Sequence, residues 1–413
     1  MSYSELFPYL KSRISINNES TSLTELGLEV KSCSFTSTFW SRVPSANEYQ
    51  GLSSIFKALL KYYLARNPFS DDYLYKKLET PDEKIEENAR FKYLMFMPQK
   101  TVKATSVIIM LHGLNERAWE KYLPWATELV RLTGSSVLLF PHAFHMNRAP
   151  ANWSDHRLMG SIAQERKVLF PDIRCSTFAN AAISTRLQLV PSRFVFSGLQ
   201  TIHDIERLTS MIREGRHPFI ADSAKLDIFG YSIGGFIGEI ILLSNPSHLY
   251  DDSRLLLFCG GATLDQTFPT SRSILDSEAS LAINHFYGVD FRNHLSSDER
   301  LARIFEKNAG ETAIFSFMIH SQLNAARRFS EFSRIRDRLR AVTFSDDKVV
   351  PTASVLNTIN DPRTLRPTLD RELHYPFPCS HEVPFPVTES YRSMIDSSFR
   401  ETFELMASFL RPT

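Results

Sequence analysis

Only four cysteines occur in 413 residues (Cys33, Cys175, Cys259 and Cys379), far apart and with no CxxC pair. That argues against a disulfide-dense scaffold and fits a reducing compartment. An excess of charge of one sign is also missing. The 47 basic and 46 acidic residues leave a net charge of +1, so no global field favours nucleic acid or an anionic membrane as partner. The longest apolar stretches, SVIIMLHGL and GGFIGEIILL, fall well short of the ~20 residues that cross a bilayer, so no transmembrane segment is expected. They read as buried strands and a buried helix. The first residues, MSYSELFPYLKSR, lack the basic stretch, apolar run and small-residue cleavage site of a signal peptide, and a cytoplasmic location is the expectation. Neither an internal repeat nor a low-complexity segment is present, and nothing in the chain speaks to oligomeric state. What the sequence does have is an ordinary globular composition, 43% apolar and 23% charged with 31 phenylalanines, able to bury a large core.

Along the chain the rhythm changes once. Residues 1–90 mix a helical pattern (Leu52, Ile55, Phe56, Leu59, Leu60 and Tyr63) with polar connections such as INNESTSLTE, and read as a partly helical N-terminal extension. From Phe91 onward, short apolar runs alternate with helical stretches: FKYLMFM, SVIIMLHG, SSVLLFP, KLDIFGYS, RLLLFCGG, RAVTFSD and ELHYPFP. Seven strands separated by helices predict parallel pairing with crossovers. Most runs are continuously apolar, which suits strands covered on both faces, so the fold expected over 91–413 is an α/β doubly wound, mostly parallel sheet. Two connections are much longer than the rest. These inserts, about 143–205 and 263–337, carry helical patterns and leave from the same edge of the sheet, which predicts a mainly helical cap over the strand ends.

The sharpest local signal is KLDIFGYSIGGFIGEIILL. Here an apolar strand runs through Gly230-Tyr231-Ser232-Ile233-Gly234 into a helix. A serine raised on so tight a bend needs glycine two positions before and two after it, where the backbones cross. The helix start then aims free N–H groups at the site, and the Ile233 amide can donate to a developing oxyanion. The competing interpretation is a glycine-rich turn with a serine helix cap.

Three further segments follow strands in an ordered way: Leu111-His112-Gly113-Leu114 after SVIIM, Ser345-Asp346-Asp347-Lys348-Val349-Val350-Pro351 after RAVTF, and Cys379-Ser380-His381-Glu382 after the last apolar run. With the serine turn, these resemble the α/β-hydrolase superfamily of serine hydrolases, esterase- and lipase-like, over roughly residues 91–413. The resemblance implies the order nucleophile, acid, histidine. It assigns Ser232 as nucleophile, His381 as base and, from the D-x-x-V-P spacing, Asp347 as the acid, with Asp346 a competitor. It also implies that the Leu114 amide is the second oxyanion donor beside Ile233. His374 falls inside the last strand run, Asp252 and Asp265 read as turn or cap residues, and His285, His294 and His320 lie in the second insert.

The chemistry implied is acyl transfer through an acyl-enzyme on a small-molecule acyl substrate, with no cofactor and no metal. An ester is the default, and thioesters, lactones and peptides are open to the same triad. His112, Arg148, Asn152, Trp153 and Tyr231 are candidates for the substrate pocket, Arg148 for an anionic group. Two other classes compete. A non-catalytic binding protein could use the same scaffold. Metal-dependent hydrolysis is suggested by His142 and His145, three apart in PHAFHMNR, but no third ligand completes a pattern.

Overall fold

The computed structural model describes residues 1–40, 78, 80–361 and 369–412. Among these, nine strands form one sheet in the order β1-β2-β3-β5-β4-β6-β7-β8-β9: β1 Ser20–Leu23, β2 Leu28–Thr36, β3 Arg90–Pro98, β4 Ala104–Leu111, β5 Ser136–Phe140, β6 Ile220–Tyr231, β7 Leu255–Phe258, β8 Leu339–Phe344 and β9 Leu369–Leu373. Strands β5, β4, β6, β7, β8 and β9 run parallel. The other three join one edge in antiparallel pairs. This is an α/β-hydrolase fold.

Both faces of β5 and β7, and of most of β4 and β8 and the second half of β6, are buried, as their apolar sequence requires, whereas the edge strand β9 is largely exposed. In β4, Val107, Ile109 and Leu111 enter one core, while the alternate residues Ile108 and Met110 enter the other, following the two-residue period of a strand. On the second face lie the helices Tyr3–Arg13, Tyr122–Thr133 and Arg392–Leu410. The first face carries Arg193–Arg213, Ile233–Ser244 and most of the apolar side chains of the two inserts.

Two boundaries differ from expectation. Residues 1–36 are no extension: β2 pairs along its whole length with β3, and Tyr3, Leu6 and Leu10 sit in the same core as the C-terminal helix. Tyr3 Oη donates to Phe385 O at 2.8 Å, tying the two ends of the chain. The edge strands escaped notice because their burial is broken, with only three of nine β2 residues buried, so no apolar run marks them. The expected helix around Leu52–Tyr63 lies outside the described residues. At the other end, β9 stops at Leu373 rather than running through ELHYPFP, since Pro376 and Pro378 offer no N–H to a neighbouring strand.

The inserts are mainly helical. The first contains His156–Leu169 and Ala181–Leu189 and passes into Arg193–Arg213, a single helix that runs through the expected limit at 205. The second contains Ser277–His285, Glu299–Lys307, Ala309–Met318 and Ala325–Arg334. They are fastened to each other by buried polar contacts. The Arg166 guanidinium holds the Asp276 carboxylate through two bonds of 2.7 Å, with both side chains fully buried. Tyr287 Oη donates to Pro191 O and accepts from Val195 N, each at 3.1 Å.

Candidate active site

Strand order reverses around β4, since β5 lies on one side of it and β6 on the other. Clefts at the carboxyl ends of strands open at such a point. The turns after β4 and β6 meet there, and both carry residues singled out from sequence.

Ser232 sits between β6 and the helix Ile233–Ser244 with φ 56° and ψ −124°, a conformation that costs a non-glycine residue about 1–3 kcal/mol. Surrounding backbone holds it there. A Cβ on Gly230 would lie 2.5 Å from Gly235 Cα, and one on Gly234 would lie 2.3 Å from Leu111 O. Neither position admits a side chain, which is the physical content of the glycine spacing. Gly260, just after β7, closes the third side, where a Cβ would lie 2.6 Å from Ser232 O. Nothing in the sequence distinguished that glycine from an ordinary strand-end turn.

His381 brings the expected residues into one line. Its Nε2 lies 2.7 Å from Ser232 Oγ, and its Nδ1 lies 2.8 Å from Asp347 Oδ2. All three side chains are buried. The other carboxylate oxygen of Asp347 accepts from the amides of Val349 and Val350 at 2.9 Å each, so the acid is fixed by its own D-x-x-V-P segment. Asp346 and His374 are exposed.

Ile233 opens its helix, so its N–H has no intrahelical acceptor. Its side chain and that of Leu114 line the same cavity as Ser232. The walls come from both inserts, through Phe194, Ile274, Leu275 and Ile283. Asn115 ties the loop after β4 to those inserts, donating to Ala179 O at 2.9 Å and Ser273 O at 2.7 Å. On its outer side the cavity shares Thr267, Pro269, Ser280 and Val349 with an open polar cleft bordered by His381, Asp346, Lys348 and Arg174.

A hydrogen-bonded support lies beneath the site, and sequence reasoning missed most of it. Gly113 N donates to Tyr122 Oη at 3.0 Å, and Tyr122 Oη donates to Glu116 Oε1 at 2.9 Å. Lys121 pairs with Glu116 and also donates to Glu382 O at 3.0 Å, which joins the loop after β4 to the loop that carries His381. Tyr231 Oη donates to the carbonyl of His381, and its ring stacks on the imidazole with centroids 5.4 Å apart. Tyr231 therefore sits under the histidine instead of lining the pocket.

The remaining pocket candidates are corrected. Arg148 is fully buried, is engaged by Asp204 at 2.8 Å, by Pro141 O and by Asn88, and lines neither the Ser232 cavity nor the open cleft. Trp153 packs in a separate small core with Ile85, Phe144 and Met159, and Asn152 is exposed beside it. His112 lies under the loop. Its Nε2 accepts from His142 N at 2.9 Å, so its proton is on Nδ1, which donates to Gly113 O at 2.8 Å. Burial pushes this imidazole well below its ordinary range. Although the rings of His112, His142 and His145 lie close together, no group of three or more His, Cys, Asp or Glu among the described residues is arranged to hold a metal ion. No helix among the described residues is long and apolar enough to cross a membrane.

A family model described as "Family of unknown function (DUF6051)" matches residues 1–411. The chain belongs to that family. A search of the curated proteins finds no match to this DUF6051 member. Among solved structures it is similar to the esterase Est22, at 12% identity over 98% of this chain and 87% of that one, with a TM-score of 0.44. It is also similar to carboxyl esterase 2 from the mycorrhizal fungus Tuber melanosporum, at 9% identity over 78% and 81%, TM-score 0.42. A third is a hyperthermophilic esterase from the archeon Pyrobaculum calidifontis, at 12% identity over 87% and 99%, TM-score 0.40.

Proposed function

We propose that this DUF6051 chain is a serine hydrolase that cleaves a carboxylic ester or a related acyl bond through an acyl-enzyme. The observation that carries the reading is the unbroken line from Asp347 through His381 to Ser232, with contacts of 2.8 Å and 2.7 Å. In that line His381 Nε2 takes the Ser232 proton as Oγ adds to the acyl carbonyl. Asp347 holds the proton on Nδ1 and stabilises the imidazolium that forms. The amides of Leu114 and Ile233 receive the oxyanion, where each donor contributes roughly 3 kcal/mol. His381 then protonates the departing alcohol, and a water activated by the same imidazole hydrolyses the ester on Ser232.

The two inserts act in this reading as a helical cap. Their apolar side chains wall the Ser232 cavity, which favours a small apolar acyl substrate over a bulk polymer and keeps water from the reacting atoms. A fluorophosphonate probe tests the assignment directly. The expected outcome is a single covalent adduct on Ser232, found by peptide mapping, with both labelling and ester turnover lost in Ser232→Ala. Labelling that persists in that variant rejects the nucleophile.

A further inference from the structure

Beyond Leu114, Phe194, Ile233 and Phe236, which also line the Ser232 cavity, lies a second space. Its wall is apolar over most of its extent, through residues such as Leu199, Ile202, Ile237 and Phe315, and its ionisable members are the half-buried Glu311 and the buried imidazoles of His142 and His145. Those rings are only 3% and 6% exposed, and Nε2 of each has no hydrogen-bond partner among the described residues. For His145 the missing partner can be specified. Its Nδ1 lies 2.8 Å from Ala143 O, which only accepts, so Nδ1 carries the proton and Nε2 presents a lone pair. Burial brings the ring down to about 4, so it stays neutral near pH 7. On the same wall Ser197 Oγ donates to Phe194 O, and Thr201 Oγ1 donates to Ser197 O and accepts from Ala143 N at 3.0 Å.

A buried acceptor without a donor is costly, and a ligand that brings the donor relieves that cost. Which end of a substrate arrives there follows from His381. This imidazole borders the open polar cleft and not the inner space, and the general acid has to reach the leaving oxygen. The alcohol therefore faces outward and the acyl chain inward. We propose that the inner space is an acyl pocket for an apolar carboxylic acid carrying a hydrogen-bond donor, a hydroxyl or amide N–H, near its far end, received by His145 Nε2. The inference rests on the acyl-transfer reading above.

The test uses p-nitrophenyl esters of linear acids of graded length, each made with and without a terminal hydroxyl, on the full chain. At the best-fitting length the hydroxylated ester is expected to have a kcat/KM about tenfold above that of its plain partner. In His145→Phe that ratio is expected to fall toward one, and His145→Gln, which keeps an acceptor, is expected to restore much of it. The burst of p-nitrophenol corrects each value for the active fraction. A wild-type ratio near or below one at every length overturns the proposal, as does a ratio untouched by His145→Phe. If no ester is cleaved and Ser232 is not labelled, the acyl-transfer reading fails and takes the inference with it. Cleavage and labelling without the hydroxyl preference remove the inference alone.

Discussion

Asp346 and Asp347 are adjacent in sequence and opposite in environment. Asp347 is buried, with one oxygen on His381 and the other on two backbone amides, whereas Asp346 faces the open cleft. Replacing Asp347 by Asn keeps the shape but favours the wrong imidazole tautomer, so Asp347→Asn is expected to lower kcat about 10⁴-fold while Asp346→Asn changes it by less than about tenfold. Steady-state kinetics on a p-nitrophenyl ester decide between them, and equal losses would move the acid. This residue was legible because its position is a local matter, four before Pro351 at the end of a strand. The support beneath it was not. Gly113, Glu116, Lys121, Tyr122 and Glu382 meet only after folding, since Lys121 and Glu382 are 261 positions apart. The misreading of Arg148 has the same origin, because its partner Asp204 is 56 positions away on another element, and a cation near a strand end looks free until that partner is known.

At the scale of elements, the apolar parallel strands and the serine turn were legible because burial on both faces leaves an unbroken run of Val, Ile, Leu and Phe. Edge strands β1 and β2 have no such mark. The inserts were recognisable as helical but not how they are held together, and Arg166 and Asp276 show why. Neither residue stands out in the sequence, yet both side chains are fully buried where the inserts meet. Asp276 also caps its own helix, accepting from Ala279 N at 3.0 Å. Removing one member of such a pair strands a buried charge, so Arg166→Met is expected to destabilise the chain by about 3–5 kcal/mol. Adding Asp276→Asn, which keeps a side-chain oxygen for the cap, should recover part of that loss. Urea unfolding of the wild type, the single variant and the double variant measures both effects. A single-variant cost below about 1 kcal/mol would mean that the pair does little to join the inserts.

For the whole molecule, the change of pattern at Phe91 suggested an extension followed by a domain, while the structure ties Tyr3 to Phe385 and makes the N-terminal strands part of the main sheet. That closure depends on long-range packing, which composition does not encode. Packing also traps ionisable groups, and Glu239 is the extreme case. It is fully buried in the helix behind Ser232, and neither carboxyl oxygen has a hydrogen-bond partner among the described residues. Burial pushes the carboxyl well above its ordinary 4.5, with Arg328 opposing. The Arg328 guanidinium is itself taken up by the carbonyls of Phe317, His320, Ser321 and Thr358. Glu239 therefore keeps its proton to higher pH in the fold than in the unfolded chain. An acid whose folded pKa is raised costs stability as pH rises above its unfolded value, with a limiting slope of about 1.4 kcal/mol per pH unit. The buried histidines act on the other limb. His112, His142 and His145 are held below 6.5 by burial, so the unfolded chain binds more protons there and stability falls as pH drops below that value. Glu239→Gln removes only the first effect. The variant is expected to gain stability over the wild type as pH rises from 4.5 toward 8 and to keep the same decline on acidification. Urea unfolding of both proteins across that range reads the difference directly, and stability curves that run parallel from pH 4.5 to 8 would mean that Glu239 ionises inside the fold.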